Sequence, residues 1–243
     1  MFTELMETAR RSELGCRVLL FPRAELFFLE WRQRRMSRYA QVAFTQNVRR
    51  VQEERGSADA MERLLAGNPG RADRMGATEA EFIAARDGLY LATVSETGWP
   101  YIQFRGGPPG FVHVLDEATL AFLDVRGNRQ YITAGNVRGN DRVSLFFMDY
   151  ARRTRLKVLG RAEIRDPGEF VDLRGRSGGA RTEGHAESLL VVRVEGFAWN
   201  CAKHITPRFS EAELAGALER VYERVGELEE ENRALRSRLG MRD

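Results

Sequence analysis

Arg126 and Arg129 stand three residues apart in the run Arg126-Gly127-Asn128-Arg129-Gln130-Tyr131, directly after the apolar stretch Leu120-Ala121-Phe122-Leu123. Guanidinium forks match phosphate oxygens bidentately, and Gly127 gives the backbone the freedom to close around an anion. A strand that ends in this cluster can hold a phosphate. The same residues also suit a solvated turn between a strand and a helix. The neighbouring elements have to decide between the two.

Other chemistries lack their residues. No GxGxxG follows a strand and opens a helix, and there is no Walker loop, GxSxG or HExxH. Arg105-Gly106-Gly107-Pro108-Pro109-Gly110 is glycine-rich, but its two prolines remove amide donors that a phosphate cradle needs. It suits a tight strand exit against which a flat ring can lie, or simply a loop. Cys201 and His204 have the spacing of half a zinc site, with no second pair to complete it, so no metal is expected. His204 reads as a structural histidine.

Composition narrows the setting. The chain of 243 residues is 43% hydrophobic and 30% charged, which suits a soluble globular protein. A net charge of +3, without a basic block interleaved with aromatics, excludes a nucleic-acid partner. Lys157 and Lys203 are the only lysines, so the many arginines reflect genome composition and none is functional by type alone. Two distant cysteines, Cys16 and Cys201, make no disulfide framework and place the chain in a reducing cytoplasm. The apolar runs Val18–Phe21 and Leu26–Leu29 are broken by Pro22, Arg23, Glu25 and Glu30, short of the roughly 20 residues of a membrane span.

The elements that must position the arginines follow from periodicity. Residues 1–36 are an N-terminal extension without site chemistry, and Met36 would serve equally well as a start. Residues 37–86 read as helical with a break at Gly67-Asn68-Pro69-Gly70, and Thr78 with Glu81 has the form of a helix cap. From Leu89 the period changes to two. Strands are expected at Leu89–Val94, around Tyr101–Phe104, at Phe111–Leu115, Thr119–Val125, Arg142–Met148, Arg155–Ile164 and Ser188–Val194. A short helix covers Gln130–Ala134, and Gly175–Gly179 reads as a mobile loop. Six or seven short strands at this spacing predict a mainly β protein with flanking helices (α+β), an antiparallel barrel rather than a βαβ sheet.

The last thirty residues carry a heptad seam. Leu214, Leu218, Val221, Val225, Leu228, Asn232, Leu235 and Leu239 alternate in steps of four and three, with Asn232 at position a. In a parallel pair Arg224 faces Glu229 and Glu231 faces Arg236. Each exposed pair contributes about 0.2–1 kcal/mol, so they select orientation more than strength. An amphipathic helix packed on its own domain is the competing reading.

Taken in order, Leu91-Ala92-Thr93-Val94, Gly98-Trp99-Pro100, the strand bearing Gln103 and Arg105, Leu120–Asp124, Arg126–Gln130 and Asn140-Asp141-Arg142-Val143 resemble the pyridoxamine 5′-phosphate oxidase-like FMN-binding split-barrel family. The tail Phe197-Ala-Trp199-Asn200-Cys201-Ala-Lys-His204-Ile205 resembles one of its branches. The resemblance covers residues 37–209, leaving 210–243 as a C-terminal leucine-heptad helix. It implies a homodimer joined through the barrel with two FMN molecules at the subunit interface, to which the heptad seam adds a parallel coil. Gln103, Arg105 and Gly106 would lie beside the isoalloxazine. Asn128, Arg129 and Gln130 match the phosphate position, with Gln130 where the oxidase has a lysine and Arg126 able to compensate. Trp199 and Cys201 stand where the family's tail approaches the flavin. There Trp199 could stack on or cover the ring, or else be a buried core tryptophan. Arg155 and Lys157 could reach the cofactor or lie on a solvated barrel face. Ala202 departs from the branch's usual proline.

The expected function is that of an FMN-binding flavoprotein and oxidoreductase, distinct from the oxidase itself. That enzyme's C-terminal substrate-phosphate motif, an arginine and a histidine, has no counterpart here. A non-catalytic flavin-binding module, a haem-binding split barrel and a deazaflavin-dependent reductase stand as alternatives. Catalytic residues, substrate and electron donor are not assigned.

Overall fold

The structure is a computed structural model that describes residues 37–65, 71–169, 185–200 and 203–238. The expectations for residues 1–36, 67–70 and 175–179, for Cys201 and for Leu239 lie outside the described residues. Three helices lead the chain: α1 (Ser37–Ala43), α2 (Gln46–Glu54) and α3 (Ala58–Leu65). Then follow α4 (Ala77–Ala84), β1 (Gly88–Val94), β2 (Pro100–Gly106), β3 (His113–Asp116) and β4 (Thr119–Val125). The chain continues through α5 (Ile132–Gly139), β5 (Arg142–Asp149), β6 (Thr154–Arg165), β7 (Ala186–Asn200) and α6 (Glu211–Arg238).

The seven strands form one antiparallel sheet in the order β2-β1-β5-β6-β7-β4-β3. This is the α+β split barrel that the strand spacing predicts. Period-two alternation explains which face turns inward. In β1, Leu89, Leu91 and Thr93 are buried, and in β5 so are Val143, Leu145 and Phe147. They meet Leu156, Val158, Leu120, Phe122, Leu190 and Val192 in a single core cluster. Each fully buried side chain of this size contributes about 1.5–3 kcal/mol, so the face is fixed and a one-residue slip would expose the whole set.

Three expected boundaries move. The cap of α4 is Gly76, not Thr78: the Glu79 carboxylate accepts the Gly76 N–H at 2.8 Å, while Thr78 lies inside the helix. Glu79, three residues beyond the true cap, takes the role that the sequence pattern suggests for Glu81. The helix expected at Gln130–Ala134 begins two residues later and runs to Gly139, so Asn128–Gln130 belong to the turn before it. β7 also extends through Phe197 and Trp199, because Val158 and Leu156 continue the ladder opposite them.

The first helix is clamped onto β7. Asp73 accepts the backbone N–H groups of Arg38 and Tyr39 at the start of α1, at 3.1 and 3.3 Å, and that of Phe197 in β7 at 3.1 Å. Gly196 makes the approach possible, since a Cβ there would lie 2.5 Å from the Tyr39 nitrogen. Among the described residues, no helix is long and apolar enough to cross a membrane.

Candidate functional site

Because β2 and β3 are the two ends of the sheet order, the sheet is split between them. Arg105 on β2 bridges the gap to Asp124 on β4 with a two-pronged ion pair, and both side chains are largely buried. A cleft of about 200 Å³ opens at this place. Its wall on β2 is the row Tyr101, Gln103 and Arg105, brought to one side by the strand period. Its opposite wall is the turn from Gly127 to Tyr131 and the first residues of α5, with Glu187 from β7.

The turn is held in an unusual conformation. Arg129 and Tyr131 are non-glycine residues with φ of 61° and 53°, in the left-handed region that most side chains avoid. Such positions gather at ligand-binding sites, where surrounding structure over-determines them. Backbone nests that include left-handed residues turn N–H groups toward one concavity, which suits an anion. Asn128 Oδ1 accepts the Gln130 N–H at 3.2 Å and closes the turn. Tyr131 is the N-cap of α5 and gives no side-chain cap bond, so the positive end of the helix dipole faces the cleft without a capping oxygen.

Side-chain hydrogen bonds set α5 against the sheet. Thr133 Oγ1 donates to Gln103 Oε1 at 2.9 Å, and Asn136 Nδ2 donates to Thr93 Oγ1 at the same distance. With its carbonyl engaged, Gln103 has its amide N–H groups to offer a ligand. Arg105 Nε is buried without a hydrogen-bond partner among the described residues, a donor that a ligand acceptor could satisfy.

The arginines divide their roles. Arg126 Nε donates to Glu187 Oε1 at 2.7 Å, and Tyr131 Oη donates to the same oxygen at 3.3 Å. This pairing, the Arg126 hydrogen bond foremost, holds the Glu187 carboxyl below the usual glutamate range. Arg129 makes no ion pair among the described residues and lines the cleft directly, beside Asn128 and Gln130. Arg105 and Arg129 against Asp124 and Glu187 balance on the walls, and Arg126 behind Glu187 leaves the cluster one positive charge in excess.

Five of the nine residues expected from sequence therefore meet in one cleft: Gln103, Arg105, Asn128, Arg129 and Gln130. Arg126 stands behind them through Glu187. Gly106 ends β2 opposite Gly88 and does not line the cleft. Trp199 lies in the core, 5% exposed, with its ring edge-on to Phe82 at 4.7 Å and Nε1 donating to Glu79 at 2.8 Å. Cys201 is outside the described residues. Asp124, Tyr131, Thr133 and Glu187 are lining residues that the sequence pattern does not assign. Thr133 stands one turn from the arginine cluster and could have been found by helical spacing. Glu187 could not, because it arrives at a register shift between β4 and β7 that no local pattern announces.

Arg155 lines a second cleft of about 310 Å³ on the outer sheet face, with Tyr90, Tyr150, His204 and Arg208. Lys157 instead lies 5.0 Å from the Tyr39 ring, where burial and then the Arg155 charge lower its pKa. No group of three or more possible metal ligands occurs among the described residues.

The antiparallel seven-stranded sheet with its flanking helices is an α+β split barrel, and an arginine-lined cleft opens at its seam. The chain belongs to the pyridoxamine 5′-phosphate oxidase family, whose model matches residues 75–200. Among solved structures it is similar to HupZ from Group A Streptococcus, at 20% identity and a TM-score of 0.40, covering 51% of this chain and 92% of that one. A putative pyridoxamine 5′-phosphate oxidase from Lactobacillus delbrueckii is similar at 21% identity and a TM-score of 0.39, covering 51% and 93%. An F420 reductase is similar at 26% identity and a TM-score of 0.34, covering 49% and 94%. No curated protein matches the chain.

Proposed function

We propose that this chain binds FMN in the cleft between β2 and α5 and is an FMN-dependent oxidoreductase. The carrying observation is the turn at Arg129 and Tyr131, left-handed at both residues, which leads into an uncapped α5 and faces Arg105 and Gln103. Asn128, Arg129, Gln130 and the first N–H groups of α5 would hold the phosphate. Gln103 and Arg105 would meet the ring edge, with the Gln103 amide and Arg105 Nε as donors. Bound FMN supplies hydride or electron transfer, while the protein supplies orientation and electrostatics.

The cleft of one chain is smaller than the roughly 300–1,000 Å³ of a full cofactor site. A second barrel that covered the ring would complete the site, consistent with a homodimer with FMN at its interface. Ile102 and Phe104, on the outer side of β2, are 64% and 59% exposed and give that contact an apolar surface.

The test is the visible absorption spectrum of the purified protein, followed by titration of stripped protein with FMN. Flavin bands and saturable uptake are expected. Colourless protein that takes up no FMN would overturn the reading, and a Soret band would point to haem. Reduction of bound flavin by NADH or NADPH in stopped flow then separates an enzyme from a binding module.

A further inference from the structure

We propose that α6 pairs in parallel and in register with α6 of a second copy of this chain, as a two-stranded coiled coil beyond the barrel. From Glu211 to Arg238 every described residue is exposed apart from the half-buried Gly216. The seam residues Leu214, Leu218, Val221, Val225, Leu228 and Leu235 are 44–54% exposed, so the chain's own barrel does not cover them. A helix of 28 residues, about 42 Å long, thus presents one continuous apolar stripe to solvent.

That helix has little to sustain it alone. Gly216 and Gly226 lie within it, and each weakens a helix relative to alanine. A Cβ at either would meet nothing within 4 Å, so neither glycine serves a close contact inside the chain. The N-terminus, by contrast, is firmly set: Ser210 Oγ accepts the Glu213 N–H at 3.2 Å and Glu213 accepts the Ser210 N–H at 2.8 Å. A defined start, an apolar stripe of three heptads and an interior that needs support are what a paired helix has.

Charge identifies the occupant as a second copy. With Leu218, Val225 and Asn232 at a, Arg224 at g faces Glu229 at e of an identical parallel helix, and Glu231 faces Arg236. In the single chain Arg224 meets Glu227 on its own helix at 2.7 Å, both sides well exposed. Such a pair exchanges for an inter-helical one at little cost. Asn232 at a finds its hydrogen-bond partner in the same residue of the second helix only when the strands are parallel and in register. This pairing does not depend on flavin.

The test uses the full chain with Leu235→Cys at the seam and Glu230→Cys on the outer face, each oxidised mildly and compared with the parent by non-reducing electrophoresis. Disulfide geometry demands Cα atoms within about 7 Å, so Leu235→Cys should give a covalent dimer at least about fivefold in excess of Glu230→Cys. The result should be the same with and without FMN. Equal yields from the two variants would overturn the proposal, because residues 235 of antiparallel or unpaired helices never meet. A loss of flavin binding with the covalent dimer retained would instead count only against the FMN reading.

Discussion

Thr133 Oγ1 donates to Gln103 Oε1 at 2.9 Å, so the first turn of α5 is tied to the middle of β2 across the floor of the cleft. The bond fixes which end of the Gln103 amide faces inward. Thr133→Val keeps the shape and removes the donor, leaving Gln103 free to turn. The expected result is a loss of about 1 kcal/mol in stability and a weakening of FMN affinity by roughly fivefold. Titration with FMN and thermal unfolding of the same variant check both. An unchanged affinity would show that Gln103 does not touch the cofactor.

Arg129 and Glu187 should act in opposite directions. Arg129→Ala removes a charged donor from the turn, and FMN affinity should fall roughly tenfold to a hundredfold, the span of hydrogen bonds to charged groups. Glu187→Gln releases Arg126 and makes the cleft more positive, so affinity should rise a few-fold at low salt and the gain should shrink as salt screens it. Isothermal titration at two ionic strengths distinguishes these outcomes. If both variants weaken binding equally, the phosphate lies elsewhere.

What is readable in the sequence follows the range of the interaction involved. Leu89, Leu91, Val143, Leu145 and their alternating partners announce strands because period two is a local property. The Gln103–Arg105 row and the arginine turn are local too, and both reach the cleft. The family resemblance of the tail allows Trp199 either a place beside the cofactor or one in the core. Its actual partner, Glu79, lies 120 residues away, and the buried carboxylate and indole satisfy one another. Glu187 depends on a bulge, and Asp73 caps α1 from outside it. None of these pairings leaves a trace in local spacing. The same limit explains the cap of α4, where Gly76 has no side chain to advertise its role.

Trp199 offers a direct check of this distinction. Trp199→Phe keeps the edge contact with Phe82 but removes the N–H from a carboxylate that is 0% exposed. Stability should fall by about 1–3 kcal/mol, the range for a buried acceptor that loses a donor, while FMN affinity stays within about twofold. Chemical denaturation and flavin titration measure the two separately. A variant that folds as tightly as the parent and binds FMN poorly would move Trp199 back to the cofactor.

Glu195 predicts a pH dependence. Its carboxyl is held below the usual value by the Arg161 hydrogen bond first and by Arg38 on α1, with burial opposing. A depressed carboxyl pKa in the folded state stabilises above the unfolded value and loses that contribution as pH falls through the folded value. The difference in Tm between the parent and Glu195→Gln should therefore be full at neutral pH and shrink as pH falls below the ordinary glutamate range. Its size should be modest, because the cluster is only partly buried and still reaches solvent. A constant difference across that range would mean that the side chain acts through shape and not charge.

Gly226 is a place where the C-terminal helix can be strengthened without touching its seam. It lies mid-helix at a heptad b position, with open space around the missing Cβ. Gly226→Ala should therefore add about 1 kcal/mol of helix stability, partly by restricting the unfolded chain. If α6 is paired, both helices gain, and the thermal loss of far-ultraviolet helical signal should shift upward and remain dependent on protein concentration. If α6 is single, its helix should gain signal at low temperature with no concentration dependence. Dilution across about two orders of magnitude separates the cases in one variant, because mass action acts only on the paired helix.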